Sequence, residues 1–147
     1  MCSSDLTAES FDGGWCSVGD MACRDEDGYI WLVDRKSNMI ISGGENVYPS
    51  EVESAIGGHP AVKDVAVIGM PHEKWGESVH AVVVLHEGED LSEADIRQWC
   101  RDRLAGFKCP SRVSFIADQD MPRTATGKIV HRTLKTLFTE QESLQTA

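Results

Sequence analysis

Two runs decide the fold: Val62-Lys63-Asp64-Val65-Ala66-Val67-Ile68-Gly69-Met70 and Glu77-Ser78-Val79-His80-Ala81-Val82-Val83-Val84-Leu85. Both are dense in valine and isoleucine, which suits two buried core strands, and residues 71–76 between them form the linking loop. Upstream, Pro49 opens a helix at a position where its missing N–H costs nothing. That helix turns Val52, Ala55 and Ile56 inward and stops at Gly57-Gly58. Downstream, Ser92-Glu93-Ala94-Asp95 has the form of a capping box, with Ile96, Trp99, Cys100 and Leu104 following at helical spacing. Residues 113–116 predict a third core strand. A last helix is expected to begin near Gly127, with Val130, Leu134, Leu137 and Phe138 on one face. Helix, strand, strand, helix, strand, helix is an α+β order: a small sheet flanked by helices.

Further upstream the pattern is β-rich. Residues 11–33 are short strands separated by turns at Gly13-Gly14 and Asp27-Gly28, and Tyr29-Ile30-Trp31-Leu32-Val33 is the clearest of them. Met39-Ile40-Ile41 is another short strand, ended by Ser42-Gly43-Gly44. The first six residues are expected to lie outside an ordered unit.

With 147 residues, 41% of them hydrophobic, the chain holds one soluble domain, or one domain and a remnant of another. The longest clean apolar run, residues 81–85, is far short of a membrane span, and Asp5 and Glu9 break up the first ten residues as a signal peptide. A cytoplasmic location is expected. The five cysteines are odd in number and contain no CxxC pair, and no two histidines sit at ligand spacing, so no metal site or disulfide framework is expected. The net charge of −10 is uneven: residues 101–135 carry a balance of +5 and the remainder −15. Such a basic tract suits a phosphate-bearing ligand, whereas the overall acidity argues against a nucleic-acid partner.

Two loops stand out. In Ile41-Ser42-Gly43-Gly44-Glu45-Asn46-Val47-Tyr48-Pro49, paired glycines between a strand and a helix permit positive φ and close approach of a ligand or another backbone. A plain strand-to-helix turn has the same spacing. In Pro122-Arg123-Thr124-Ala125-Thr126-Gly127-Lys128, a Thr- and Gly-rich loop presents one lysine at the expected start of a helix, a place suited to a phosphate or carboxylate. It is not a Walker A loop, because the leading glycine is missing and no βαβ unit begins there.

Gly19-Asp20, Asp27-Gly28-Tyr29, Asp34-Arg35, the segment from Gly43-Gly44-Glu45 to Ser50-Glu51-Val52-Glu53, and the Lys128 loop follow one another in order. His59-Pro60-Ala61-Val62, Trp75-Gly76-Glu77 and Phe107-Lys108-Cys109-Pro110 fall between them. In this combination the chain resembles the acyl-CoA synthetases of the adenylate-forming superfamily over about residues 7–137.

The resemblance implies a reaction in two halves. A carboxylic acid attacks ATP to give an acyl-adenylate and pyrophosphate, and the thiol of CoA then displaces AMP. It implies that residues 1–34 are the β-rich end of a large AMP-binding N-terminal domain. Residues 35–147 would be the mobile C-terminal domain, with the hinge near residues 35–38. ATP and CoA would be co-substrates, and Mg2+ would come with ATP and find no ligand in this chain. The large domain would supply the acyl pocket, so the chain alone would be inactive, and fatty acids are the expected substrate class.

Matched position by position, Lys128 corresponds to the lysine between ATP phosphate and substrate carboxylate. Asp20 corresponds to the aspartate on the ribose hydroxyls and Arg35 to the arginine that meets the nucleotide. Gly43, Gly44 and Glu45 correspond to the loop lining the pantetheine tunnel, and Trp75 and Phe107 to aromatic positions beside the CoA nucleotide. The hinge position carries Ser37 where the family usually has Asp or Lys. Cys109 and Ser111 stand where relatives often have basic residues. A free-standing module docking on a separate partner, or a piece of a peptide-synthetase adenylation domain, are the alternatives.

Overall fold

The computed structural model describes residues 11–12, 15–16 and 19–145. The expected turn at Gly13-Gly14 and the irregular first six residues lie outside them. The chain divides after Ser37 into two compact units.

The described residues of the first unit form two-stranded antiparallel pairs. β1 (Phe11–Asp12) pairs with β2 (Trp15–Cys16), and β3 (Asp20–Arg24) pairs with β4 (Ile30–Arg35). Between β3 and β4 the Asp25 carboxylate accepts the Tyr29 N–H at 2.8 Å and closes the turn that Asp27-Gly28 signalled. Large apolar side chains are left open here: Trp15 is 83% exposed, Ile30 69% and Leu32 74%.

The second unit is a five-stranded sheet with helices on both faces. Its elements are β5 (Ile40–Ser42), β6 (Glu45–Val47), α1 (Pro49–Gly57), β7 (Val62–His72), β8 (Gly76–Leu85), α2 (Glu93–Arg101), β9 (Arg112–Phe115) and α3 (His131–Gln145). The strand order is β6-β5-β8-β7, with β9 also on β8. β7 and β8 are antiparallel, Val65 opposite Val83 and Val67 opposite Ala81, while β9 runs parallel to β8 with Val113 beside Ala81.

Alternation along the strands explains the continuous apolar runs. Val65, Val67, Ala81 and Val83 face Val52 and Ile56 of α1 and Ile96 and Cys100 of α2. Ala66, Ile68, Val82 and Val84 face the other way, onto Met121 and Leu134 of α3. Both faces of β7 and β8 are therefore covered, and neither strand shows a polar alternation. Each fully buried Val or Ile side chain contributes about 1.5–3 kcal/mol. The capping box forms as expected: Ser92 Oγ accepts the Asp95 N–H at 3.2 Å, and Asp95 Oδ2 accepts the Ser92 N–H at 2.9 Å. Trp99 Nε1 donates to the Ala55 carbonyl at 2.7 Å and ties α2 to α1.

Three expectations are corrected in detail. Gly43-Gly44 does not join a strand to a helix; it is the two-residue loop of the β5–β6 hairpin, Ser42 opposite Glu45. Its φ values of +61° and +88° explain the glycine pair, since two-residue hairpin loops of this kind need both positive. The last helix begins at His131 instead of near Gly127, because the Val130 N–H is drawn back to the Pro122 carbonyl at 2.9 Å. Leu137 stays 44% exposed on that helix. Among the described residues, no helix is long and apolar enough to cross a membrane.

Candidate functional site

The glycine hairpin meets the β7–β8 turn through a hydrogen bond from the Gly43 N–H to the Trp75 carbonyl, at 2.8 Å. Trp75 is oriented by its own turn, in which His72 Nδ1 accepts the N–H groups of Lys74 and Trp75 at 3.2 and 3.3 Å. The segment 106–111 approaches from the other side, held by Ser111, whose N–H donates to the Val79 carbonyl at 2.8 Å. Between them lies a cleft of about 350 Å3 lined by Gly43, Glu45, Trp75, Phe107, Cys109 and Ser111, among others. Trp75 and Phe107 stay nearly half exposed at this cleft, with Lys74 Nζ over the Trp75 ring at 4.6 Å and Lys108 Nζ over the Phe107 ring at 5.7 Å. Gly44 completes the hairpin turn without lining the cleft.

Lys128 sits elsewhere, in a small hairpin of its own. The Thr124 N–H donates to the Lys128 carbonyl at 2.8 Å, and the Gly127 N–H to the Thr124 carbonyl at 2.9 Å. Gly127 has a φ of +84°, the left-handed residue that closes a three-residue hairpin loop. Thr124 Oγ1 accepts the Lys128 N–H at 3.1 Å. Lys128 therefore stands on an ordered turn ahead of α3, not at the helix N-terminus. Its side chain is exposed and Nζ has no carboxylate partner among the described residues.

Other cations of the basic tract are already engaged. Lys108 Nζ is 2.7 Å from both Glu51 oxygens. Lys135 Nζ is 2.6 Å from Glu77 Oε1. Arg123 bridges Asp64 at 2.6 Å and Asp118 at 3.0 Å, and Lys63, with Arg123 beside it, holds the Asp118 carboxyl below its ordinary value. Three of the eight cations in residues 101–135 are thus spent on distant acids, and Lys128 is a cation left available to a ligand.

In the first unit, Asp20 and Arg35 are cross-strand partners on β3 and β4, with Asp20 Oδ1 3.8 Å from Arg35 Nε. Ser37 lies in the short 3-10 turn Lys36–Asn38, where the two units divide. The structure thus gathers the predicted site residues into three groups. Gly43, Glu45, Trp75 and Phe107 share the cleft, Asp20 and Arg35 form a pair, and Lys128 stands on its hairpin.

Residues 51–128 match the AMP-binding enzyme C-terminal domain family. The chain belongs to this family. It is 44% identical over 138 residues to a 2-succinylbenzoate–CoA ligase of Geobacillus kaustophilus, covering 94% of this chain and 28% of that protein. It is 49% identical over 139 residues to a long-chain-fatty-acid–CoA ligase of Mycobacterium tuberculosis, covering 95% of this chain and 26% of that protein. Among solved structures, ATP-bound MatB from Rhodopseudomonas palustris superposes with a TM-score of 0.85 at 37% identity, over 93% of this chain and 27% of that one. The chain spans about a quarter of the length of these relatives.

In this AMP-binding C-terminal domain, the family match begins at Glu51 on α1 and ends on Lys128 itself. Three residues inside it escaped the sequence reading as structural actors. Glu53 Oε1 accepts the Val67 N–H at 2.8 Å and meets His131 Nε2 at 2.6 Å. Glu77 Oε2 accepts the Ile41 N–H at 3.1 Å while its other oxygen holds Lys135. Arg123 is the third. Glu53 and Glu77 were visible as motif letters, but partners 14, 36, 58 and 78 residues away are invisible without the fold. Among the described residues, no group of three or more His, Cys, Asp or Glu side chains is placed to hold a metal ion.

Proposed function

We propose that this chain is the C-terminal part of an ATP-dependent acyl-CoA synthetase, which converts a carboxylic acid, ATP and CoA to acyl-CoA, AMP and pyrophosphate. Lys128 is the adenylation lysine: two anions, the carboxylate and the α-phosphate, approach each other, and an ammonium group between them offsets the charge as it develops. Asp20 accepts from the ribose hydroxyls and Arg35 meets the nucleotide. Gly43 and Glu45 line the pantetheine path, with Gly44 closing the hairpin that holds them, and Trp75 and Phe107 flank the CoA nucleotide. ATP enters with Mg2+, and a fatty acid is the expected substrate class.

The observation that carries this reading is the separation of two chemistries on one small unit. Arg123, at the base of the Lys128 hairpin, is bonded to Asp64, whereas His72 lines the cleft. Asp64 and His72 lie on β7, eight positions apart, which is roughly 26 Å of extended strand. The cation for adenylation and the aromatic cleft for the thioester step thus belong to different parts of the unit. Rotation about a hinge at Ser37 presents them in turn.

Residues 1–34 are proposed to be the end of the large N-terminal domain, and residues 35–147 the mobile domain. The exposed Trp15, Ile30 and Leu32 support this, since apolar groups on a strand pair call for further protein to cover them. On this reading the chain is inactive alone. The test is the mass of the native protein in its source cells, detected with an antibody against residues 110–137. A band several times larger than 16.2 kDa is expected. A band at the size of this chain would contradict the reading and turn the search to a separate docking partner.

A further inference from the structure

Arg123 makes more contacts than any role assigned to it so far requires. Its Nη2 donates to Asp64 Oδ2 on β7 at 2.6 Å and to Asp118 Oδ1 in the preceding turn at 3.0 Å. Its Nη1 lies 3.4 Å from the carbonyl of Gly127, the residue immediately before Lys128. Asp118 is held in addition by Lys63 Nζ at 2.7 Å, so the network runs from the sheet, through two carboxylates, to the tip of the hairpin. Backbone pairing across Arg123 and Ile129 closes the same hairpin at its base. The guanidinium therefore fixes both ends of the turn: where it leaves the sheet, and where its last carbonyl points.

Partly exposed ion pairs add little to global stability. A planar fork touching two carboxylates and a loop carbonyl is nevertheless well suited to fixing a direction, and lysine cannot reproduce it. We propose that Arg123 is a positioning residue for adenylation. Held by Asp64 and Asp118, it sets the orientation of the turn that carries Lys128. This rests on the reading of Lys128 given above. It predicts that losing the network leaves Lys128 chemically intact and aims it wrongly, an error that costs rate in one half-reaction only. A misplacement of about 1 Å at a reacting group is enough for roughly a 10²-fold loss.

The experiment uses the full-length enzyme carrying this segment, with Arg123→Ala, Arg123→Lys, Asp64→Asn and, as the reference, Lys128→Ala. Two rates are measured: pyrophosphate release from acid and ATP, and thioester formation from preformed acyl-adenylate and CoA. Thermal midpoints are recorded alongside. The expected result is a loss of roughly 10²-fold in kcat for pyrophosphate release in Arg123→Ala. The KM for ATP should be little changed, with partial recovery in Arg123→Lys, a loss in the same direction in Asp64→Asn, and thioester formation within about twofold of the unmodified enzyme. Normal adenylation by Arg123→Ala while Lys128→Ala is inactive would overturn the positioning role alone. An equal fall of both half-reactions together with the thermal midpoint would make Arg123 merely structural and overturn it too. Normal adenylation by Lys128→Ala would overturn the reading of Lys128 itself, and the inference with it.

Discussion

Trp75 lies over Gly43 with no room for a methyl group between them: a Cβ at position 43 would stand 2.8 Å from Trp75 Cε3. The Gly43 N–H also donates to the Trp75 carbonyl at 2.8 Å. Two turns far apart in the sequence are thereby locked into one wall of the cleft. The glycine is required twice over, by a φ of +61° and by the ring above it.

Gly43→Ala is therefore expected to destabilise the second unit by about 1–2 kcal/mol and to displace the indole from the cleft. Urea denaturation of the chain measures the first effect. The pair Gly43→Ala/Trp75→Ala separates the two causes, because removing the ring abolishes the clash and leaves the strained φ. A double variant whose loss equals or exceeds the sum of the two single losses would contradict the close packing.

Glu77 belongs to the Trp75-Gly76-Glu77 motif, yet its carboxylate points away from chemistry and into scaffolding. It accepts the Ile41 N–H at 3.1 Å and Lys135 Nζ at 2.6 Å, joining β5 to α3. Glu77→Ala leaves the Ile41 N–H without its acceptor and is expected to cost about 1–2 kcal/mol. Glu77→Gln keeps an acceptor and loses only the ion pair, so its cost should stay below about 0.5 kcal/mol. Denaturant midpoints of the two variants check this ordering.

His80 gives the second unit a pH dependence of stability. It is buried on β8, its Nε2 2.9 Å from Ser114 Oγ and its ring edge-on to Phe138, and Nδ1 has no hydrogen-bond partner among the described residues. Burial, reinforced by the Arg112 cation and opposed by Glu93, pulls its pKa from 6.5 to about 4. The unfolded chain thus takes up a proton between pH 6.5 and 4 that the folded chain refuses. Stability is full above pH 6.5 and falls as the pH drops to about 4, by about 3 kcal/mol. The difference between the unmodified chain and His80→Gln, followed by urea midpoints across that window, should shrink steadily as the pH is lowered. A difference independent of pH would contradict the assignment.

The α+β order was legible because its strongest signals are local. The apolar runs of β7 and β8, the proline at position 49 and the Ser92–Asp95 box each report on their own neighbourhood. What stayed hidden depends on distant partners. The parallel pairing of β9 on β8 joins residues 32 apart, such as Ala81 and Val113, and carries no mark in either strand. The start of α3 was misplaced because Gly127-Lys128 looks like a helix entry, while the bond from Val130 to Pro122 holds these residues in a hairpin. The cleft follows the same rule. Gly43, Trp75 and Phe107 were each readable as motif positions, but their meeting in one place is a property of the fold. The basic tract was readable as charge, and only the structure shows Lys108, Arg123 and Lys135 already neutralised.

The central claim is that Lys128 serves adenylation and is swung away during thioester formation. The most direct test is Lys128→Gln in the full-length enzyme, with each half-reaction measured separately. Removing the charge is expected to abolish pyrophosphate release from acid and ATP, while preformed acyl-adenylate is still converted to thioester at close to the normal rate. Pyrophosphate release at the unmodified rate would contradict the account.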